Sequence, residues 1–346
     1  MDKKQRKTLI IRIILFVGTA VSLYFVPWIL VKAWILPLPD TIQGQLDQAI
    51  DHGFDGIVVY VDKKDEAPGF YAAGWHDPKL KIPARPDALY KIASIGKLYT
   101  AVGITKLVAD GKLSLDDKLT DHFPDLKGRI QYAEDITIKM LVQHRSGIPN
   151  YTDKLNYWSN PKHTFRENLE LILDLPANFE PNTDYEYCNT NYLLLRQIMD
   201  DVLGYPYYEY IQVEILNRLD LKNTHTTMDG IDMENVMSGY YVGHPYDIKN
   251  EDFGIHATAE DVGIFLRALN DGSLFDNNEQ EIYSSIYRYE HTGLVPGYQS
   301  IAQYHKDIDA IVIQFTGPTD FEGYQWNLSH IVYNRIVKII SHSTQQ

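Results

Sequence analysis

Residues 13–31 form an unbroken run of 19 without a charge, directly after a segment holding Lys3, Lys4, Arg6, Lys7 and Arg12. As a helix such a run rises about 28 Å, close to the hydrocarbon thickness of a bilayer. Trp28 and Trp34 fall near its far end, where aromatic belts sit. The run exceeds the usual core of a cleaved signal and no small-x-small site follows it, so an uncleaved anchor is expected. Basic residues before the span, with Asp40 and Asp47 after it, put the N-terminus in the cytoplasm and the chain from about Pro37 onward on the outer face. The chain is therefore read as two parts, a basic tail and transmembrane anchor over residues 1–36 and an extracytoplasmic domain over residues 37–346. The lipid bilayer is the partner of the first part.

The chain has 346 residues, 45% of them hydrophobic and 23% charged, enough for one large domain or two smaller ones. A net charge of −14 repels a phosphate backbone, and no nucleic-acid partner is expected. Cys188 is the single cysteine, so no intramolecular disulfide forms. It reads as a small buried hydrophobe rather than a nucleophile. Neither a His-Glu-x-x-His nor a paired-cysteine pattern argues for a metal site.

Ile42, Leu46 and Ile50 recur at helical spacing before Gly53. Residues 56–61 and 70–75 are β-branched or aromatic and flank a polar turn, which predicts a hairpin. A second strand pair is expected at 298–304 and 310–315, followed by a closing helix at 328–340. Between the two pairs the sequence reads as helices at 136–142, 165–175, 191–203, 207–216 and 259–269. Strands near both ends with helical sequence between them predict an α+β fold, an antiparallel sheet flanked by terminal helices with an inserted helical region.

Ser94 and Lys97 lie three residues apart in a predicted helix over 92–111, with Ile95, Leu98, Val102, Leu107 and Val108 apolar and Gly111 as its stop. One turn puts both side chains on one face. Ser94 falls in the first turn, where free N–H groups and the helix dipole favour an alkoxide, and a lysine kept partly neutral serves as its base. The pair alone also fits an N-cap serine beside an exposed lysine. Tyr187-Cys188-Asn189 precedes a helix. A tyrosinate beside a lysine ammonium acts as base, and an asparagine amide orients a carbonyl; a buried tyrosine with a loop asparagine is the plainer reading. His291-Thr292-Gly293 reads as a strand edge on which N–H groups approach a substrate carbonyl, or as a turn histidine.

In order and spacing the three clusters resemble the serine penicillin-recognising enzymes, in particular the class C β-lactamase family with its D-alanyl-D-alanine carboxypeptidase, D-aminopeptidase and esterase relatives. Ser94-Ile95-Gly96-Lys97 looks like the first motif, Tyr187-Cys188-Asn189 the Tyr-x-Asn second, and His291-Thr292-Gly293 the His-x-Gly variant of the Lys-Thr-Gly third. Residues 141–149 resemble the family's Leu-Leu-x-His-x-Ser-Gly-Leu turn and residues 254–261 its Gly-Gly-x-x-Ser-Thr-Ala-x-Asp helix start. The similarity runs from about residue 40 to residue 340.

The resemblance implies a β-lactamase/transpeptidase-like fold and a serine hydrolase that needs no cofactor. Ser94 is acylated, Lys97 and Tyr187 share the proton work, and Asn189 holds the substrate amide. His291, with Thr292 and Gly293, binds substrate and stands in for the third motif's cation, and the backbone N–H groups of Ser94 and Leu294 form the oxyanion hole. The implied substrates are D-peptides, amides or esters, including cell-wall peptides. The alternatives are a catalytically silent penicillin-binding or sensor protein and a true class C-type β-lactamase. Histidine in place of lysine weakens a fixed positive charge and favours a peptidase or esterase. The stretch before His291 is short and lacks the family's Tyr-Gly-x-Gly-Trp strand, so a more open cleft is expected there.

Overall fold

The hairpin predicted at 56–75 is present as β1 (Gly56–Lys63) and β2 (Gly69–Asp77), which pair antiparallel from Gly56 opposite Gly74 to Val61 opposite Gly69. This computed structural model describes residues 2–343, apart from 163, 245, 253, 277 and 322. The remaining strands are β3 (Ile82–Pro83), β4 (Tyr90–Lys91), β5 (Thr224–His225), β6 (His256–Ala257), β7 (His291–Val295), β8 (Tyr298–His305) and β9 (Ala310–Gly317). The main sheet runs β3-β2-β1-β9-β8-β7, so the two ends of the chain meet where β1 pairs with β9. A small sheet, β4-β6-β5, lies beside it.

The first helices are α1 (Lys3–Tyr24), α2 (Trp28–Ile35), α3 (Ile42–Asp51) and α4 (Gly96–Ala109). The inserted region holds α5 (Leu119–His122), α6 (Ile138–Val142), α7 (Phe165–Glu170), α8 (Asn189–Leu203) and α9 (Tyr207–Ile211). The last are α10 (Ala259–Asp271), α11 (Glu279–Ile286) and α12 (Gln325–Ser343).

The sheet is buried on both faces because its central strands are apolar at successive positions. Ile57, Val59 and Val61 of β1, with Val312 of β9, pack into a core shared with Leu46 and Ala49 of α3 and Val332 and Ile336 of α12. Val58 and Tyr60 of β1, with Ile311, Ile313 and Phe315 of β9, face the larger core formed with α4, α8 and α10. Side-chain alternation along a strand makes this division automatic.

Four sequence expectations are modified. The uncharged span 13–31 is interrupted at Pro27, whose ring removes an N–H and clashes with the preceding turn; α1 starts earlier, at Lys3, and α2 restarts beyond the proline. α1 buries no residue and has the length and composition to cross a membrane, whereas α2 packs on α12 with Ala33 buried. The helix at 165–175 ends at Glu170, because Asp174 turns into left-handed backbone (φ 62°) and its carboxylate meets Arg129 at 2.7 Å. The helix at 207–216 changes after Ile211 into a π-helical turn (Gln212–Asn217) that buries both Ile215 and Leu216. The helix expected from residue 191 begins at Asn189, with Cys188 in extended backbone before it.

Candidate active site

Ser94 is presented by a sharp bend between β4 and α4. Ala93 sits in left-handed backbone (φ 51°) and opens a 3-10 turn (Ala93–Ile95) that runs directly into α4. Such a conformation strains any residue with a Cβ and is held here by β7, the outer strand of the main sheet, packed against the turn. Gly293 makes that packing possible. A Cβ there would strike Ser300 Oγ and the Ile92 carbonyl oxygen and lie 3.1 Å from Ala93 Cβ. Ser300 Oγ donates to that same carbonyl at 3.2 Å, tying β8 to the turn as well.

The helix geometry then does what the spacing requires. Lys97 Nζ lies 3.2 Å from Ser94 Oγ, and Tyr187 OH donates to the same oxygen at 2.7 Å. Lys97 Nζ donates to Asn189 Oδ1 at 2.7 Å. The Asn189 amide is oriented on its other side by Nδ2 donating to Thr152 Oγ1 at 3.0 Å, and its backbone N–H donates to Asn150 Oδ1 at 3.0 Å. Ser94, Tyr187 and Asn189 are half-buried, and Lys97 is buried behind them.

Burial sets the protonation of this group. It holds the Lys97 amine well below the usual ammonium range, and the positive charge of Arg196 lowers it further. Burial pushes the Tyr187 phenol well up, against the hydrogen bond with Ser94. Of the two readings the sequence left open, these directions favour the lysine kept neutral, beside a neutral phenol, over a tyrosinate-ammonium pair, because neither charge is solvated.

His291 departs further from expectation. Burial above all pushes its imidazole down to about 3, which argues against a cation in the third motif. Its Nδ1 lies 2.5 Å from the Thr292 carbonyl oxygen and its Nε2 3.0 Å from Tyr287 OH. A neutral ring satisfies both contacts by donating from Nδ1 to the carbonyl and accepting the phenol proton at Nε2. Thr292 and Leu294 are half-buried on β7, with Leu294 opposite Gln299 in register.

Several residues at the site escaped the sequence reading. His144 lies in left-handed backbone (φ 58°), accepts the Cys188 N–H at Nδ1 (3.1 Å), and sets its ring 4.6 Å from that of Tyr187 and 5.2 Å from that of Tyr192. Its stretch, 141–149, stood out in the sequence, but nothing there gave His144 a place at the site. Tyr287 and Arg288, in the link between α11 and β7, had no signal in periodicity. Tyr287 stacks on His291 with ring centres 6.1 Å apart. Arg288 is exposed, donates to Tyr185 OH at 3.0 Å and lies 5.9 Å over the Tyr287 ring. On the side where a more open cleft was expected, Tyr287 and Arg288 stand just before His291 in sequence, and α11 before them packs on α4. Cys188 is buried, its thiol pushed up by burial and placed 3.3 Å from the Ile148 carbonyl oxygen, which fits the small-hydrophobe reading.

A Ser-x-x-Lys helix docked between an antiparallel sheet and an inserted helical region is the arrangement of the β-lactamase/transpeptidase-like fold, whose members are serine hydrolases. The family model described as Beta-lactamase matches residues 38–292, and the chain belongs to that family. Penicillin-binding protein 4* of Bacillus subtilis is 24% identical over 296 residues, taking in 84% of this chain and 63% of that protein. Protein flp of Staphylococcus aureus (strain MW2) is 30% identical over 193 residues, 54% of this chain and 39% of that one. The match thus spans less than two thirds of the length of these curated relatives. Among solved structures, D-amino acid amidase from Ochrobactrum anthropi SV3, complexed with L-phenylalanine amide, superposes with a TM-score of 0.78 at 25% identity, covering 88% of this chain and 98% of that one. A penicillin binding protein from Bacillus halodurans gives 0.73 at 20% identity, covering 86% and 100%.

Proposed function

We propose that the protein is a membrane-anchored serine hydrolase that works through an acyl-enzyme on D-configured peptides or amides, or on small esters. The observation that carries this is Ser94 Oγ held at once by the Lys97 amine and the Tyr187 phenol. In the first step Ser94 Oγ bonds to the substrate carbonyl carbon and its proton passes to the unprotonated Lys97 amine. The backbone N–H groups of Ser94 and Leu294 receive the oxyanion. Tyr187 passes a proton to the departing nitrogen or oxygen as the C–N or C–O bond breaks. Water then attacks the acyl-enzyme by the reverse proton route. Asn189 holds the substrate amide, and Thr292 and Gly293 offer it a strand edge. Arg288 rather than His291 brings positive charge to the cleft mouth.

The likeness to a D-amino acid amidase over nearly its whole length supports an amide substrate, and the penicillin-binding relatives support a cell-wall peptide. An outer-face location is part of the same proposal and brings cell-wall peptides within reach. α1 with Lys3, Lys4, Arg6 and Lys7 retained inside leaves the domain on the outer face. Protease added to intact spheroplasts then digests the domain; protection equal to that of cytoplasmic controls overturns this topology.

The chemical test is labelling with a fluorophosphonate, read by intact mass, beside turnover of D-amino acid amides, D-peptides, esters and β-lactams. Ser94→Ala is expected to remove both adduct and turnover, and a loss of only a few-fold identifies another nucleophile. An adduct without turnover of any substrate marks a sensor, and fastest turnover on β-lactams marks a β-lactamase.

A further inference from the structure

α2 has two unlike faces. Its inner face is fastened to the domain: Ala33 is buried and Leu30 is packed against the core that α12 and α3 share. The chain just beyond it is clamped by Arg335 of α12, which donates to the Leu36 and Pro37 carbonyl oxygens, both at 2.8 Å, and to Gln45 Oε1 at 2.6 Å. The outer face leaves Trp28 (55%), Ile29 (39%), Trp34 (73%) and Ile35 (65%) exposed, with Lys32 among them. A contiguous apolar patch of this kind is unusual on a surface that meets only water. Tryptophan with lysine is the composition of a membrane interface, the rings at headgroup depth and the ammonium reaching the phosphates. α1 ends at Tyr24, only a short bend away.

We propose that α2 lies in the outer-leaflet interface, with Trp28, Ile29, Trp34 and Ile35 at the boundary between headgroups and acyl chains and Lys32 at the phosphates. Because Arg335 locks the far end of α2 to α12 and α3, the domain is then held at one height and tilt instead of swinging on a tether. The hydrocarbon span shortens to the part of α1 from about residue 8 to residue 24, near the lower limit of about 17 residues for a crossing helix, with Arg12 reaching back to the interface. The inference rests on α1 being an anchor.

The full chain is tested in nanodiscs of phosphatidylcholine and phosphatidylglycerol, with an environment-sensitive fluorophore on single added cysteines. Cys188 is buried and stays unlabelled. Leu15→Cys reports the span, Trp34→Cys reports α2, and Leu155→Cys, on an exposed loop position, reports water. Spin-labelled lipids quench from a shallow or a deep acyl position. The expected result is quenching at position 34 about twofold stronger by the shallow label than by the deep one, the reverse at position 15, and none at position 155. No quenching at position 34 with deep quenching at position 15 overturns the docking and leaves the anchor standing. Deep quenching at both makes α2 part of the span and overturns the docking. No quenching at either removes the anchor itself, and fluorophore self-quenching at position 34 without lipid quenching assigns the face to a second copy.

Discussion

Lys97 and Lys106 stand on the same helix, and both are buried. Lys106 is met by carboxylates, its Nζ 3.0 Å from Glu279 of α11 and 3.9 Å from Glu214 of the π-helical turn. Lys97 has Ser94 Oγ and Asn189 Oδ1, and the rings of Tyr187 and Tyr192 at 4.9 and 5.5 Å. Among the described residues no carboxylate lies within ion-pair distance of it. A buried ammonium survives when a counter-charge offsets its lost hydration, and otherwise gives up its proton. The same side chain is thus ion-paired at one end of α4, while beside Ser94 at the other burial without a counter-charge drives it toward the neutral amine.

The largest effect expected is at Lys97. Lys97→Met should lower kcat/KM by about three to four orders of magnitude while leaving Tm unchanged or raised, since no buried counter-charge is orphaned. A large rise in Tm would break the comparison by showing a charged, uncompensated Lys97, whereas a small fall would report only the Asn189 Oδ1 left without its donor. The wild-type pH profile sharpens it: the active form is the unprotonated amine, so kcat/KM rises with pH through a value well below that of an ordinary lysine. His291 adds no inflection near 6.5, its imidazole being neutral at every pH above about 3.

Lys106→Met is expected to cost about 3–5 kcal/mol of stability by denaturant titration, because Glu279 loses its counter-charge and keeps, among the described residues, only the Asp276 N–H, at 2.9 Å. Activity per folded molecule should persist, and loss of activity in a fully folded variant would contradict a purely structural role. Removing Glu279 as well, by Glu279→Leu, should restore part of the stability. Tyr187→Phe keeps the ring beside His144 and loses the hydroxyl on Ser94; about a hundredfold loss in acylation rate is expected, with little change in Tm. The smallest change is Tyr287→Phe, which removes the hydrogen bond to His291 Nε2 and is expected to cost about 1 kcal/mol.

The parts legible in the sequence rest on short-range rules. Apolar runs at 56–61 and 310–315 specify strands buried on both faces, and having them at opposite ends of the chain implies a sheet closed by β1 against β9. Ser94 and Lys97 share a helix face by geometry alone. Gly293 was legible as a residue type, although its reason, the approach of β7 to the Ala93 bend, was not. The bend itself, the left-handed His144 and the contacts of Tyr287 and Arg288 had no signal, because each depends on neighbours far along the chain.

By itself, then, the sequence determined the strand pairs, the uncharged run at 13–31 and the one-turn spacing of Ser94 and Lys97, since period-two alternation, charge and helix pitch act within a few residues. Only the tertiary structure decided which lysine of α4 meets a carboxylate and which does not, that burial pushes the Tyr187 phenol up and the His291 imidazole down, and that α2 belongs by packing to α12. A pKa is set by the water excluded and the charges brought near, and those arrive from Arg196 on α8, Glu279 on α11 and the β7 edge, elements remote in sequence that meet only when the two cores close on the sheet.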